Sequence, residues 1–87
     1  MQIVQSNRFK KSYKKLFSNQ LAEANTAIKE IIANPEIGEK KCGDLSWLRV
    51  YKFKILGQLT LIGYSIENDT LTFIALGPHE NFYRDVK

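Results

Sequence analysis

A histidine and a tyrosine near the C-terminal end have the side-chain types and the spacing of a proton-transfer pair. His79 is the single histidine of the sequence, and it follows the dipeptide Gly77-Pro78. Histidine gains and loses a proton near neutral pH. Tyr83 lies four residues further on, so both rings project from one face if this segment is helical. We therefore predict an acid–base site at this end of the chain.

Three cations lie close together in an earlier segment whose composition is typical of a β-strand. They are Arg49, Lys52 and Lys54. Arginine presents a planar fork that matches phosphate oxygens and lysine presents a point charge, so the set resembles a phosphate clamp. Strict alternation along the strand would place Val50 and Phe53 on opposite faces of the sheet. We therefore predict a bulge near Tyr51-Lys52, which would turn Val50 and Phe53 toward the core and the three cations toward solvent. The alternative is that the lysines protect a strand edge from pairing with other chains.

Together these side chains have the chemistry that RNA cleavage requires. The reaction needs a base for the ribose 2′-hydroxyl, an acid for the leaving oxygen and cations for the charge that develops on phosphate. The predicted catalytic residues, expected to meet across one open pocket, are His79, Arg49 and Tyr83. Lys52 and Lys54 are predicted to bind substrate, and Tyr83 to stack on a base or assist proton transfer. A lone histidine is more often a surface or packing residue, and that alternative stays open.

Turn signals divide the second half of the chain into three consecutive strands. The apolar runs are 50–56, 59–66 and 71–76. Gly57-Gln58 is typical of a two-residue type II′ hairpin, and Asn68-Asp69 tolerates the left-handed backbone of a tight turn. The third strand is predicted to end at Gly77-Pro78, since proline cannot donate to a ladder. His79 is therefore expected at an open sheet end.

The first half of the chain predicts a helical hairpin. Residues 2–5 alternate weakly and suit a short additional strand. Asn7 is a plausible N-cap for a first helix over 8–17, whose apolar positions have helical spacing. Ser18 or Asn19 would cap a second helix that ends near Asn34, before Pro35. Segment 35–44 has the composition of a loop, whose Lys40 and Lys41 are most simply solvated.

The first predicted helix carries a face of four lysines. They are Lys10, Lys11, Lys14 and Lys15. Like charges at i,i+4 weaken an isolated helix by a few tenths of a kcal/mol per pair. We therefore interpret this face as a binding surface for a polyanion.

The predicted fold class is α+β, in which an N-terminal helical hairpin packs on a small antiparallel sheet. The order is (β)ααβββ followed by a short C-terminal helical turn. One amphipathic hairpin covers one face of the sheet, so the other face is expected to be wet and to carry the function.

Length and composition narrow the possible functions. The chain of 87 residues predicts one domain over 1–87, and its net charge of +4 favours a polyanion or an acidic protein as partner. The single cysteine, Cys42, cannot form an internal disulfide, and one histidine allows no Cys/His metal spacing, so no metal or cofactor is expected. The N-terminus lacks an apolar signal region and no run is long enough to span a membrane, which predicts a cytoplasmic protein.

Three segments of the chain resemble the RelE/ParE superfamily of bacterial type II toxins. They are GDLSWLRVYKFKI, GYSIEND and LGPHENFYRD. The resemblance covers nearly the whole chain, and its most specific part is GPHENFY. It implies a RelE-like, microbial-RNase-like fold and a small basic toxin that an acidic antitoxin neutralises. In many members it implies cleavage of mRNA in the ribosomal A site.

The resemblance also assigns roles to single residues. Arg49 stands where the family has an arginine after the helical hairpin, and Lys52 and Lys54 fall among its basic strand residues. His79 occupies a position that is His or Arg, and Tyr83 the following aromatic position. The sequence departs from the pattern at 59–61, where many members carry an arginine.

Three hypotheses follow. The first is a ribosome-dependent mRNA endonuclease whose four-lysine helix face docks on ribosomal RNA. The second is a ParE-like toxin that poisons DNA gyrase by protein binding. The third is a non-catalytic RNA-binding domain. For the two toxin hypotheses the expected partner is an acidic antitoxin that covers Arg49 or displaces the C-terminal residues.

Overall fold

A computed structural model describes residues 1–79 and Phe82. In this part of the chain two helices follow a short strand and precede three long strands, which confirms the predicted order. The elements are β1 (Gln2–Gln5), α1 (Asn7–Lys14), α2 (Ser18–Ala33), β2 (Glu39–Lys40), a 3-10 turn (Gly43–Leu45), β3 (Arg49–Ile55), β4 (Gln58–Glu67) and β5 (Thr70–Pro78). Neither helix has the length and apolar composition needed to cross a membrane, within the residues described.

The strands form one mixed sheet with the order β1-β5-β4-β3-β2. The three long strands are antiparallel neighbours, as predicted. β1 runs parallel to β5 at one edge, and the two-residue β2 covers only the beginning of β3 at the other. The α+β fold class is confirmed, and the sheet is extended by a parallel edge strand and by a short strand within the predicted loop.

Ser6, which precedes α1, caps the helix and ties it to the sheet. Its Oγ accepts the Phe9 N–H at 3.1 Å and donates to the Ile74 carbonyl at 2.7 Å. The predicted cap, Asn7, is instead the first helical residue, because Ser6 also bonds β5. The helix ends at Lys14 rather than at 17, since the next two amides bond carbonyls three residues back and close a turn.

The cap of α2 also differs from the prediction. Ser18 is the first helical residue, and the preceding Phe17 donates its N–H to Gln20 Oε1 at 2.8 Å. The Gln20 side chain, in the first turn of α2, thus accepts the Phe17 N–H, and neither Ser18 nor Asn19 acts as the cap.

The main core lies between the helices and one face of the sheet. Phe9 of α1 stacks on Phe73 of β5 with ring centroids 5.1 Å apart. The buried members of this core are Phe9, Ala27, Ile31, Ile62, Tyr64, Leu71, Phe73 and Leu76. Each large apolar side chain buried here contributes roughly 1.5–3 kcal/mol.

The bulge predicted in β3 is wrong. β3 pairs with β4 without interruption from Arg49 to Ile55. The irregularity lies in the pairing of β4 with β5, where Gly63 pairs with Ala75 and Tyr64 with Phe73, so that Ile74 of β5 is the extra residue. β3 therefore keeps strict alternation. Phe53 packs toward the helices, whereas Val50 belongs to a cluster on the opposite face.

That opposite face is not the open surface that we expected. A second, smaller cluster covers its centre, made of Leu48, Val50, Leu61, Ala75 and Phe82. Leu45 of the 3-10 turn, Leu48 and Phe82 supply this cover, because two helices on one side leave apolar strand residues on the other. The predicted C-terminal helical turn, apart from His79 and Phe82, lies outside the described residues. The rest of this face is exposed at both ends, at Lys52 and Lys54 on one side and at Val4 and Glu67 on the other.

The tight turns are confirmed at one hairpin and shifted by one residue at the other. Asn68 and Asp69 have φ of 51° and 60°, and they join β4 to β5 as predicted. In the first hairpin Ile55 pairs with Gln58, so Leu56 and Gly57 are the central residues, with φ of 49° and 84°. Two positive φ values are typical of type I′, whose twist matches the strands, rather than of type II′.

A substitution at Gly63 is expected to show how tightly Phe82 packs on the sheet. A Cβ at Gly63 would lie 2.7 Å from Phe82 Cζ and 3.1 Å from Leu48 Cδ1. We expect Gly63→Ala to lower the free energy of unfolding by about 1–3 kcal/mol, as measured by urea denaturation. Gly77→Ala is the matched control, since a Cβ there meets nothing within 4 Å. Equal stability of the two variants would contradict the packing.

Candidate functional site

The sheet register brings both strand lysines to one end of the face opposite the helices. Lys52 pairs with Leu61, which pairs with Gly77 of β5. Lys54 pairs with Leu59, one residue beyond the last paired position of β4 and β5. Directly paired residues share a face, so both lysines lie on the face of Leu61. Both side chains are exposed.

His79 is delivered to the same end. It follows Pro78, the last residue of β5, and its side chain is exposed. Pro78 pairs with Thr60, so the next position of the chain is level with Leu59 and Lys54. Two strand spacings correspond to about 10 Å between the backbones of β3 and β5. The predicted proximity of the histidine to the strand lysines is therefore supported by the register.

Arg49 does not belong to this group, and the pocket that was predicted to join it to His79 is wrong. Arg49 is four residues from Phe53, which is level with Pro78. Five residue steps along the strands and two strand spacings separate the backbones of Arg49 and His79 by roughly 19 Å. The two side chains cannot meet over this distance.

The guanidinium of Arg49 is instead bound to the loop that follows α2. Its Nη1 donates to the Gly38 carbonyl at 3.0 Å and, at 3.4 Å, to the Glu36 carbonyl. The Tyr64 hydroxyl holds the same loop, because it accepts the Gly38 N–H at 2.9 Å and donates to the Pro35 carbonyl at 2.6 Å. This arrangement gives Arg49 a structural role, and its catalytic assignment stays a prediction without geometric support.

Removing the guanidinium is expected to reduce stability and to leave chemistry intact. Arg49→Ala should lower the free energy of unfolding by about 1–2 kcal/mol, because charge-assisted bonds to two loop carbonyls are lost. Cleavage of RNA per folded molecule should stay within about twofold, if the protein is a nuclease. Urea denaturation and a rate measurement on the same preparation check both quantities. A large loss of rate at unchanged stability would restore the catalytic assignment.

Tyr64 is expected to make the fold sensitive to alkaline pH. Burial raises the pKa of Tyr64 above its usual value, against the opposing effects of the Gly38 N–H and of Arg49. The unfolded chain then releases this proton first, near pH 10, while the folded chain retains it. Stability is therefore complete below about pH 10 and falls as the pH rises further, by at most about 1.4 kcal/mol per pH unit for one group.

Tyr64→Phe tests this assignment. The substitution should remove part of the loss of folding stability at alkaline pH. At neutral pH it should lower the free energy of unfolding by about 1–3 kcal/mol, because the buried Gly38 N–H loses its acceptor. Denaturation curves between pH 7 and pH 11 measure both effects. Tyr51→Phe is the comparison, since Tyr51 is partly exposed and its pKa is raised chiefly by its hydrogen bond to Glu30. An unchanged alkaline slope in Tyr64→Phe would exclude Tyr64 as the titrating group.

A cleft next to the site is lined by two residues of α1 to which the sequence assigned no function. This cleft of about 300 Å³ lies beside the end of β5, and α1 contributes Arg8 and Ser12 to its wall. Phe82 closes the cleft from the C-terminal side. Arg8 was assigned only to the start of a helix, because no local pattern shows that β1 runs parallel to β5 and brings α1 to this edge.

The predicted lysine face of α1 is exposed. Among its members, Lys15 lines a second cleft next to Pro78. All four members, Lys10, Lys11, Lys14 and Lys15, are accessible to a partner. Tyr83, the third predicted catalytic residue, lies outside the described residues, so its assignment stays a prediction.

Glu39 lies on β2, beside the beginning of β3 at the Arg49 end of the sheet. It pairs with Val50, two residues before Lys52. The pKa of Glu39 is lowered chiefly by its hydrogen bond to Lys41, at 2.7 Å, and to a smaller extent by Lys52. Lys41 is thus paired rather than simply solvated, which corrects the sequence interpretation.

The fold is that of known bacterial toxins. The chain is similar to E. coli RelE in the intact RelBE toxin–antitoxin complex, with a TM-score of 0.68 and 19% identity over 88% of this chain and 94% of that chain. For an E. coli RelE variant in complex with an antitoxin RelB peptide, the TM-score is 0.68, with 19% identity over 99% of this chain and 94% of that chain. For a conserved hypothetical protein of Helicobacter pylori, the TM-score is 0.61, with 20% identity over 92% of this chain and 96% of that chain. No curated protein sequence matches the chain.

The sequence itself identifies the family. Residues 3–87 match the family described as ParE-like toxin of type II bacterial toxin–antitoxin system. The chain belongs to this family and is the toxin component of such a system, within the RelE/ParE superfamily. The resemblance noted on GPHENFY and the neighbouring segments is confirmed.

Proposed function

We propose that this toxin is an endoribonuclease that cleaves mRNA on the ribosome and so inhibits translation. The observation that carries the proposal is the convergence of Lys52, Lys54 and the His79 end of β5 on one edge of the sheet. The similarity of the fold to E. coli RelE supports it, as does the basic charge of the chain. The active protein would act in the cytoplasm.

The residues suit a reaction in which RNA supplies its own nucleophile. The ribose 2′-oxygen attacks the adjacent phosphorus, the bond from phosphorus to the 5′-oxygen breaks, and the products carry a 2′,3′-cyclic phosphate and a 5′-hydroxyl. His79 would take the proton from the 2′-hydroxyl or give one to the leaving oxygen. Lys52 and Lys54 would stabilise the charge that develops on the phosphate. Tyr83 is proposed to assist by stacking on a base or in proton transfer.

Ribosome binding is assigned to the lysine face of α1. Four exposed cations on one short helix provide a strong, salt-dependent attraction for ribosomal RNA. Because α1 packs against β5, a ribosome that binds this face holds the mRNA close to the end of β5. The proposed docking surface is formed by Lys10, Lys11, Lys14 and Lys15.

We further propose an acidic antitoxin as the physiological partner. E. coli RelE is known in complex with its antitoxin RelB, and the net charge of +4 here favours an acidic ligand. A cavity of about 350 Å³ at the Arg49 end of the sheet, which Lys40 and Trp47 also line, offers one anchor point. The indole of Trp47 is 50% exposed there, while its Nε1 donates to the Asp44 carbonyl. An antitoxin bound at this cavity would cover Arg49, as expected from the sequence.

A second candidate function is poisoning of DNA gyrase by protein binding. Two observations favour it: the matching family is described as ParE-like, and Arg49 lies far from the histidine, which leaves fewer cations at the proposed site. The third hypothesis, a non-catalytic RNA-binding domain, has no such support, because the family is one of toxins.

One expression experiment distinguishes these functions. The toxin is induced in bacteria with and without its antitoxin, and the 5′ ends of mRNA are mapped while a DNA-damage reporter is followed. The nuclease proposal predicts new ends within ribosome-covered reading frames before any DNA damage. Growth arrest with intact transcripts and an early damage response would select gyrase poisoning instead.

A further inference from the structure

Two clefts lie on either side of the Gly77-Pro78 corner and share part of their walls. The first, beside Arg8, has a volume of about 300 Å³, and the second, beside Lys15, has about 320 Å³. Both are lined by Ser12 of α1 and by the end of β5. They therefore form a continuous groove along the boundary between helix and sheet.

The groove follows an edge of β5 that has no strand partner among the described residues. β1 pairs with β5 only from Thr70 to Phe73, and Ser6 then binds the Ile74 carbonyl. Beyond this point, every second residue of an edge strand directs its N–H and C=O groups outward. The groove thus combines main-chain polar groups with side chains of α1.

The charge of the groove is entirely positive in the described part of the chain. Arg8 is the single charged residue that lines the first cleft and Lys15 the single one in the second. Both side chains are exposed, and neither forms an ion pair with a described residue. They are seven positions apart on one side of α1, which corresponds to about 10 Å. This spacing suits a polyanion that runs parallel to the helix.

An exposed phenyl ring ends the groove. Phe17 lines the second cleft and is 75% exposed, whereas the aromatic residues of α1, Phe9 and Tyr13, pack on the core. Its backbone is held by Gln20, so the ring is presented from a fixed turn. The neighbouring wall is apolar, formed by Leu16 and Ile55. A fixed ring with an accessible face next to a cation is the arrangement on which single-stranded nucleic acids stack their bases.

We infer that this groove is a track for single-stranded RNA, in which Arg8 binds a backbone phosphate and Phe17 stacks on a base. Lys15 contributes a second phosphate contact between them. The inference deepens the proposed function and rests on it for the biological substrate. It goes beyond it in assigning a phosphate contact to Arg8 and base stacking to Phe17, which have no part in the proposed chemistry or in the proposed ribosome-docking surface, whereas Lys15 belongs to both surfaces. The track leads along α1 to the corner that carries His79.

The test measures binding separately from cleavage. A fluorescent single-stranded oligoribonucleotide with methylated 2′-hydroxyls cannot be cut, and its affinity for the purified toxin is titrated at several salt concentrations. Arg8→Gln should reduce the slope of log affinity against log salt by about 0.7, the value for one phosphate contact on a single strand. Arg8→Lys should keep the slope. Phe17→Ala should weaken binding about 5- to 150-fold at an unchanged slope.

Matched controls on other surfaces keep the test specific. Lys29→Gln removes an exposed cation of α2, and Ile37→Ala removes an exposed apolar side chain, and neither residue lines the groove. Both should bind as the unsubstituted toxin does, and thermal melting should confirm that every variant is folded.

Three outcomes overturn the track. One is undetectable binding of the unsubstituted toxin at millimolar RNA, and another is an Arg8→Gln slope that equals that of Lys29→Gln. The third is a Phe17→Ala variant that loses antitoxin binding but keeps RNA binding, which would make the groove a protein site. If mRNA stays intact in the expression experiment while the oligoribonucleotide binds with the expected pattern, the nuclease proposal is refuted and the track stands.

Discussion

Replacing His79 by alanine should lower the rate of mRNA cleavage by roughly 10²–10⁴-fold, the range that a general acid or base contributes. The imidazole is exposed at the end of β5, so the free energy of unfolding should change by less than about 0.5 kcal/mol. The rate is measured in a single turnover on ribosomes programmed with a defined message. Toxicity in cells should fall in parallel.

His79→Arg separates proton transfer from simple charge. Arginine keeps a cation at this position but cannot exchange a proton near neutral pH. If His79 acts by proton transfer, the arginine variant should be nearly as slow as the alanine variant. Recovery of the rate by arginine would mean that this position only binds phosphate. An undiminished rate in both variants would leave His79 as an ordinary surface residue.

The fold was predictable because its signals are local. Hydrophobic spacing located both helices, and the pair Asn68-Asp69 marked one hairpin, since each signal depends on a few adjacent residues. The first hairpin was shifted by one position because Leu56 adopts a positive φ that its side chain disfavours, and the register of Ile55 with Gln58 imposes this conformation. Tertiary pairing outweighed the local preference of a single residue.

The arrangement of the site was less predictable because it depends on register between distant strands. Lys54 and His79 are 25 positions apart and are brought to the same end of the sheet by pairings of β4 that no local pattern encodes. Arg49 lies on the same strand as the lysines, yet strict alternation turns it toward the opposite face and the loop carbonyls. Arg8 was missed for the same reason, since the parallel pairing of β1 decides where α1 lies.

The two interpretations of Lys52 and Lys54 predict different outcomes when their charge is reversed. β2 covers only the first two residues of β3, so the outer edge of β3 is open beside both lysines, among the described residues. Edge protection needs a charged side chain of either sign, whereas phosphate binding needs a positive one. Lys52→Glu and Lys54→Glu should therefore not aggregate in either case.

If the lysines bind the scissile phosphate, each glutamate variant should lose at least about 10²–10³-fold in cleavage rate, as expected for removing a group that stabilises transition-state charge. Lys29→Glu is the control for the change in net charge and should alter the rate by only a few fold. Lys52→Ala and Lys54→Ala complete the comparison, measured by single-turnover cleavage and by light scattering. Aggregation of the alanine variants, with full activity in the glutamate variants, would show that the lysines guard the edge and that the phosphate is bound elsewhere.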